Sequence, residues 1–225
     1  EPLRNVGSFV SLIQRKYGKQ FNEEANQYMG YVTSGVIRMN NLLGDLLEYS
    51  KITSSKAENA RTTLGDVLDE VQSNLQEKII SNQAVITLPS EKIDLGMSRV
   101  HLLQLMQNII GNGLKFIPSG RQPNIEVKTS SNEEHFIISI SDNGIGINKD
   151  YAPKVYNLFH QLDKKAGYEG TGIGLTICKN IVDKYNGKIW FDSVLEEGTT
   201  FHLSFPVDIL IGKSQIIKPV TLELS

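Results

Sequence analysis

The chain has 225 residues, 40% of them hydrophobic and 21% charged, which is enough to bury a substantial core and argues against disorder. Its formal net charge of -2 provides no basic excess for a phosphate polymer, so we expect no nucleic acid partner. The single cysteine excludes an intrachain disulfide, and the lack of a signal peptide or long apolar run predicts a cytoplasmic chain without membrane contact.

Residues 1–55 predict two helices and no strand. Apolar residues recur at helical spacing from Val6 to Tyr17, and Gly18 ends this first helix. A second helix begins near Glu23 and carries an apolar stripe to about Ile52, which is longer than the first helix can cover. We therefore expect two such hairpins to form a dimeric four-helix bundle, with Leu42 and Leu46 at the interface. A helical cap folded onto the rest of the chain is the alternative.

A polar segment at 53–61 marks a boundary, beyond which helices and strands alternate. Strands paired as hairpins, with helices grouped apart from them, predict an α+β fold: an α/β sandwich with a mixed sheet covered by helices on one face. We assign this domain to 62–207 and leave the tail at 208–225 without a role. The predicted elements are a helix at 66–80, strands at 84–88 and 92–95, a helix capped by Ser98 and ending near 116, strands at 125–130 and 136–141, an irregular segment at 143–170, a helix at 172–185, and strands at 188–193 and 200–205.

Three short segments carry candidate chemistry. In the first, Asn108, Asn112 and Lys115 are spaced i, i+4 and i+7, so they share one face of a helix. An asparagine carbonyl oxygen is a hard ligand suited to Mg²⁺, and lysine provides a point charge for phosphate. A solvated polar face is the alternative for this segment alone.

In the second segment a strand ends at Asp142, and Gly144 and Gly146 follow, which lets the backbone pass close to a ligand. A carboxylate in this position can accept a hydrogen bond from an exocyclic amine such as that of adenine. An ordinary turn is the alternative.

In the third segment Gly170, Gly172 and Gly174 open a helix whose N-terminal N–H groups can receive a phosphate. The segment is not a dinucleotide fingerprint, because Ile177 stands at the third glycine position and no strand leads directly into it. A P-loop is also excluded, because Val207 stands where its first glycine is required before Gly212.

The order and spacing of these segments, with Phe159 before the third and Gly198-Thr199 before the last strand, resembles the ATP-binding domain of sensor histidine kinases. That family belongs to a superfamily with gyrase, the Hsp90 chaperones and MutL. Counterparts of its N, G1, F and G2 boxes cover roughly 62–207. The first four residues and the long second helix look like the dimerisation hairpin of the phytochrome-like branch.

The resemblance implies ATP and Mg²⁺ as cofactors. It implies that Asn108 binds Mg²⁺, that Asn112 and Lys115 contact phosphates, and that Asp142 holds the adenine amine with Thr199 nearby. It also implies that the mobile lid contains Phe159 as its anchor and a lysine, Lys164 or Lys165, that reaches the γ-phosphate. The remaining implied nucleotide-site residues are Phe116, Gly144, Gly146, Ile147, Gly170, Thr171, Gly172, Gly174 and Leu175.

The phosphoacceptor motif of the resembled branch reads His-Asp-Leu-Gln-Glu-Pro-Leu. Aligned on Glu1-Pro2-Leu3, it puts the acceptor histidine four residues before Glu1, and we expect the chain to be a piece of a longer protein. None of the four histidines present replaces the acceptor, and His101 is expected at the surface. The chain departs from the family at Gly113, Ile117 and Gln161, where alanine, threonine or serine, and arginine are usual.

The resemblance implies a protein-histidine kinase that transfers the γ-phosphoryl group of ATP to a histidine of the dimerisation helix and onward to an aspartate of a response-regulator receiver domain. An ATP-hydrolysing conformational machine of the gyrase or Hsp90 type is the alternative. Those relatives carry a glutamate one turn before the Mg²⁺-binding asparagine, where this chain has Gln104, and an amide cannot accept a proton. A degenerate nucleotide-binding scaffold is a third possibility.

Overall fold

The computed structural model describes residues 2–54, 60–159 and 171–212. Its first part is a helical hairpin of α1 (Pro2–Tyr17) and α2 (Glu23–Ser54), joined by a short 3₁₀ turn. The Asn22 side-chain oxygen accepts a hydrogen bond from the Ala25 backbone N–H at 2.8 Å, so Asn22 caps α2. Two glutamates in the first turn of α2 suit the helix dipole. The hairpin therefore has the turn and helix start that the sequence predicts.

The two helices of the hairpin approach each other closely at Gly7, where a Cβ atom would lie 3.3 Å from Val36 Cγ1. Elsewhere the hairpin leaves much of its apolar surface uncovered. Phe9 is 66% exposed on α1, and Leu47 is 63% exposed on α2. No helix within the described ranges is both long and apolar enough to cross a membrane.

The second part of the chain, called the sandwich below, is an α+β unit, which confirms the predicted fold class. Its elements are β1 (Arg61–Thr63), α3 (Leu64–Asn74), α4 (Gln76–Ser81), β2 (Val85–Thr87), β3 (Asp94–Gly96), α5 (Arg99–Lys115), β4 (Asn124–Ser131), β5 (His135–Asp142), α6 (Gly174–Lys184), β6 (Lys188–Val194) and β7 (Gly198–Pro206). The main sheet has the strand order β2-β4-β5-β7-β6, in which β2 and β4 are parallel and the other pairs are antiparallel.

Helices cover one face of the main sheet, as predicted. Alternate residues of the central strands, such as Ile138 of β5 and Leu203 of β7, are fully buried and pair with each other across the sheet. They pack against α5 and α6, which contribute Leu105 and Ile177 to the same core. The opposite face of the sheet is polar and includes Ser139. A pattern of period two along each strand therefore sets which face meets the helices.

Several predicted boundaries differ from the observed ones. A small second sheet joins β1 to β3, although the sequence predicted no strand at Arg61–Thr63. The predicted helix at 66–80 starts at Leu64 and is interrupted at Leu75, where the backbone leaves helical geometry with φ -101° and ψ 7°. Ser98 precedes α5, but its side chain makes no capping hydrogen bond.

The hairpin contacts the sandwich through the second half of α2. Ile52 is buried in the sandwich core, and Leu42 and Tyr49 pack against it. The Lys184 ammonium on α6 donates a hydrogen bond to the Ile52 carbonyl oxygen. Leu42 therefore packs within its own chain rather than standing free for the predicted dimer interface, whereas Leu46 is 45% exposed.

Candidate functional site

The Asp142 carboxylate lies where β5 ends, between two neighbouring strands. Asp142 is in register with Ile125 of β4 on one side and with Thr199 of β7 on the other. Its Oδ1 accepts hydrogen bonds from the backbone N–H groups of Gly144 at 2.8 Å and Thr199 at 3.2 Å. Within the described residues its Oδ2 accepts no hydrogen bond. One carboxylate oxygen is therefore held by the backbone, whereas the described residues offer no hydrogen-bond donor to the other.

Burial raises the pKa of the Asp142 carboxyl above its ordinary value, because it disfavours the charged form. The N–H groups of Gly144 and Thr199 oppose this by stabilising the carboxylate, but burial is the larger cause. The charge of this partly buried carboxyl group therefore depends on pH, and so does its strength as a hydrogen-bond acceptor.

The loop after Asp142 requires glycine. A Cβ atom on Gly144 would lie 2.5 Å from the Phe116 carbonyl oxygen. Gly146 has a φ of 72°, and its Cβ would lie 2.2 Å from the Val194 carbonyl oxygen. Only glycine allows the backbone to run this close to the end of α5 and to the turn between β6 and β7. The two glycines that follow Asp142 in the sequence therefore lie in a closely packed loop.

Hydrogen bonds fix the same loop on both sides. The Ile145 N–H donates to the Phe116 carbonyl at 3.0 Å, and the Ile147 N–H donates to Ser193 Oγ at 2.7 Å. Ser193 Oγ also lies 2.9 Å from Thr199 Oγ1. The structure thus brings Phe116, Ile147 and Thr199 to the loop that follows Asp142.

The face of α5 that bears Asn108 meets the start of α6. Asn108 Nδ2 donates to the Gly174 carbonyl oxygen at 3.3 Å, and a Cβ on Gly174 would lie 3.2 Å from Asn108 Oδ1. The Asn108 side chain also stabilises the Cys178 thiolate by a hydrogen bond, yet complete burial raises the pKa of that thiol to about 12. The thiol is therefore protonated at neutral pH. The Asn108 amide nitrogen is bound to the Gly174 carbonyl group, and its Oδ1 lies beside the start of α6.

The other two polar residues of this face lie further along α5. Asn112 is half-buried, and Lys115 Nζ lies 4.3 Å from the centre of the Phe116 ring. Gly113, between them in sequence, packs closely against Asp142, because a Cβ atom on Gly113 would lie 3.1 Å from Asp142 Cβ. The two predicted ligand-binding segments on α5 and β5 are therefore direct neighbours.

The third predicted segment is described from Thr171 onward. Gly172 accepts a backbone hydrogen bond from the Phe159 N–H at 3.1 Å, so these two predicted residues are adjacent. Phe159 is 59% exposed and has a φ of 61°. Helix α6 begins at Gly174, two residues later than predicted, and Leu175 packs against the core. The predicted site residues Lys165 and Gly170 lie outside the described residues, as does Gln161.

Two features of the site were not expected from the sequence. The Thr171 hydroxyl donates a hydrogen bond to Asp45 Oδ2 of α2. Arg121, in the connection between α5 and β4, donates from Nη1 to the carbonyl oxygens of Asn143, Gly144 and Glu196. No motif identifies either contact, because each joins residues that are distant in sequence.

The histidines lie elsewhere. His101 is buried and its Nδ1 lies 2.8 Å from the Tyr185 hydroxyl, so its expected surface location is wrong. His202 stacks on Trp190 across the outer face of the sheet. His160 falls outside the described residues. A cavity of about 410 Å³ lies beside Lys184 and Tyr185, and none of the predicted site residues lines it.

The chain resembles known proteins both in sequence and in fold. Residues 97–209 match the family model described as histidine kinase-, DNA gyrase B-, and HSP90-like ATPase. The chain is 32% identical over 207 residues to the phytochrome-like protein Cph1 of Synechocystis sp., an alignment that covers 92% of this chain and 27% of that protein. The chain thus spans about a quarter of the length of this relative.

Solved structures share the fold. Full-length ShkA in complex with AMPPNP superposes with a TM-score of 0.67 at 19% identity, covering 96% of this chain and 44% of that one. Histidine kinase ThkA in complex with the response regulator protein TrrA gives a TM-score of 0.65 at 21% identity, covering 91% of this chain and 58% of that one. Both alignments extend over the hairpin as well as the sandwich, as their coverage of this chain shows.

Proposed function

The chain belongs to the family of histidine kinase-, DNA gyrase B- and HSP90-like ATPases, and we propose that within it the chain is the ATP-binding catalytic core of a sensor histidine kinase. The observation that carries this proposal is the Asp142 carboxylate, with Oδ1 held by two backbone N–H groups and Oδ2 open. Such a group accepts a hydrogen bond from the exocyclic amine of adenine and gives the site its base specificity.

The base enters beside the closely packed loop after Asp142. Gly144 and Gly146 keep side chains out of that loop, and Ile147, which is 8% exposed, provides an apolar contact for the base. Thr199 supports the carboxylate through its N–H, and Phe116 holds the loop through its carbonyl group. These residues fit a flat, amine-bearing base whose position is set by one charged acceptor.

The phosphates and the metal ion fit the junction of α5 and α6. Asn108 has its nitrogen bound to Gly174, and its Oδ1 is of the ligand type that Mg²⁺ prefers. Asn112 and Lys115 follow on the same helix and would hold phosphate oxygens. When bound, Mg²⁺ neutralises phosphate charge and favours phosphoryl transfer.

We propose that the segment from Phe159 to Gly172 completes the site as a lid. Phe159 and Gly172 are joined by a backbone hydrogen bond, which ties the two ends of the lid together. We propose that Gly170, Thr171, Gly172 and Gly174 line the triphosphate and that Lys165 reaches the γ-phosphate. The N-terminus of α6 adds favourable backbone dipoles toward phosphate.

Kinase chemistry is favoured over hydrolysis. Gln104 lies one turn before Asn108 on α5, and its amide cannot remove a proton from water. We propose instead that a histidine nitrogen of the dimerisation helix, located upstream of Glu1, attacks the γ-phosphorus. A new N–P bond forms, the bond to the β-phosphate oxygen breaks, and ADP leaves. The phosphoryl group then passes to an aspartate of a response-regulator receiver domain, as the ThkA complex with TrrA supports.

The proposal also assigns roles to the hairpin and to the sandwich. Residues 1–55 form the dimerisation hairpin, whose exposed apolar residues, such as Phe9 and Leu47, meet those of a second copy. Residues 62–207 form the ATP-binding domain.

Isothermal calorimetry with ADP and Mg²⁺ tests the proposal. We expect the chain to bind ADP and Asp142→Ala to weaken that binding by about 10- to 100-fold, which corresponds to losing a hydrogen bond to a charged group. The matched control is Asp192→Ala on the outer face of the sheet, which should bind as the parent does. Equal ADP affinity in the parent and in Asp142→Ala would contradict the assignment.

A further inference from the structure

Arg121 holds three carbonyl groups that converge beside the proposed base site. Its Nη1 donates to the carbonyl oxygens of Asn143 at 2.9 Å, Gly144 at 3.3 Å and Glu196 at 2.7 Å. The first two follow Asp142 directly, and the third lies in the turn between β6 and β7. Three carbonyl dipoles pointing at one place repel one another, so a cation between them stabilises the arrangement.

The segments that Arg121 joins are the segments that hold the carboxylate. The N–H groups of Gly144 and Thr199 both donate to Asp142 Oδ1, one from each side. The Glu196 N–H donates to the Ile145 carbonyl at 2.8 Å, so loop and turn are also tied directly. A shift of either segment would therefore move the donors that orient the Asp142 side chain.

The backbone that carries Arg121 is itself fixed. The Arg121 N–H donates to the Pro118 carbonyl at 3.1 Å, which closes a turn. The Asn143 side chain accepts from the Asn124 N–H at 2.8 Å and donates to the Gln122 carbonyl at 2.9 Å. The connection after α5 is thus hydrogen-bonded to Asn143, the residue next to Asp142. The Arg121 guanidinium therefore extends from a fixed segment of backbone.

We propose that Arg121 is a positioning residue for adenine recognition: by holding the loop after Asp142 against the turn between β6 and β7, it aims Asp142 Oδ2 at the exocyclic amine. This inference rests on the proposed role of Asp142 as the base acceptor. It adds a residue that touches neither the base nor the phosphates and that acts only through the carboxylate.

The ratio of affinities for ADP and inosine diphosphate isolates this role. Inosine diphosphate has the same ribose and phosphates but an oxo group in place of the amine, so the parent should prefer ADP. In Arg121→Ala we expect ADP to bind about fivefold more weakly, with inosine diphosphate unchanged, so that the ratio falls about fivefold. Arg121→Lys keeps the positive charge but lacks the planar guanidinium group, so its ratio of affinities should lie between those of the parent and of Arg121→Ala.

The matched control is Arg61→Ala, which removes a hydrogen-bonded arginine, paired with Asp94, outside the candidate site. Its ratio should equal that of the parent even if its melting temperature falls. If Arg121→Ala and Arg121→Lys keep the parental ratio of affinities, whether or not both nucleotides bind more weakly, the proposed role of Arg121 is overturned. If Asp142→Ala instead keeps the parental ratio, the assignment of Asp142 as base acceptor fails, and the inference about Arg121 fails with it.

Discussion

Asp45 of α2 accepts a hydrogen bond from the hydroxyl group of Thr171, a residue 126 positions further along the chain. Thr171 belongs to the segment proposed to line the triphosphate, so the helical hairpin directly contacts the candidate site. The bond from Lys184 to the Ile52 carbonyl adds a second polar link between α2 and α6. A change in the hairpin therefore has a physical route to the segment that we propose lines the triphosphate.

We predict that the link between Asp45 and Thr171 stabilises the docked arrangement. In a double-mutant cycle with Asp45→Ala and Thr171→Val, the coupling in free energy of unfolding should be about 1 kcal/mol. Denaturant unfolding provides the measurement. A cycle of Asp69→Ala on α3 with Thr171→Val serves as control and should show no coupling. Additive effects of Asp45→Ala and Thr171→Val would mean that the contact contributes nothing.

We predict opposite pH dependences for binding and for stability, both caused by Asp142. ADP affinity should fall as pH falls through the raised pKa, because a protonated carboxyl no longer offers Oδ2 as a charged acceptor. The raised pKa also means that the folded state binds the proton more tightly than the unfolded state. The free energy of unfolding without nucleotide should therefore fall as pH rises from the pKa of the carboxyl in the unfolded chain to its raised pKa in the folded chain.

Asp142→Asn is the control for both pH dependences. Its amide does not titrate, so ADP affinity measured by calorimetry and stability measured by thermal unfolding should both vary less with pH across the acidic range. If Asp142→Asn keeps the pH dependences of the parent, another group is responsible for the titration.

Two glycines of α5 should respond differently to alanine. A Cβ atom on Gly111 would meet no atom of the described residues within 4 Å outside its own helix turn, so Gly111→Ala should raise the free energy of unfolding by about 1 kcal/mol through helix propensity. At Gly113 the Cβ would lie 3.1 Å from Asp142 Cβ and from Ile125 Cδ1. Gly113→Ala should therefore gain less stability and weaken ADP binding. Identical stability and ADP affinity in the two variants would contradict this packing.

The exposed apolar stripe of α2 should mediate dimerisation. Leu43 is 50% exposed and Leu46 is 45% exposed, whereas Leu42 already packs within the chain. Replacing Leu43 and Leu46 with glutamate would bury unpaired charge in the interface, so light scattering should show a monomer. Ile80→Glu, at a 66% exposed position on α4, is the control and should leave the mass unchanged. A monomeric parent would refute the bundle.

Local signals in the sequence predicted most elements. Gly18 ends α1 and Glu23 opens α2, because helix termini depend on residues within one turn. The four longest strands follow alternating apolar residues to within about two positions, since one face of the sheet is buried. The glycines around Asp142 were recognisable because close backbone approach leaves few other choices.

The remaining features depend on distant partners. The three residues of β1 are a strand only because Asp94–Gly96 pairs with them. Arg121 makes its three hydrogen bonds only because carbonyl groups from two other segments converge on it. His101 is buried because Tyr185, at the end of α6, offers its hydroxyl group. None of these contacts leaves a periodic or local trace in the sequence.

Transfer of phosphate from γ-labelled ATP tests the central claim most directly. The chain, extended upstream to include the expected histidine and incubated with Mg²⁺ and labelled ATP, should gain phosphate that is labile to acid and stable to base. The chain from Glu1 should bind ADP but gain no such label, because the proposal gives His101, His135, His160 and His202 no acceptor role. Rapid release of inorganic phosphate without labelling of the extended chain, or label on one of these four histidines, would contradict the account.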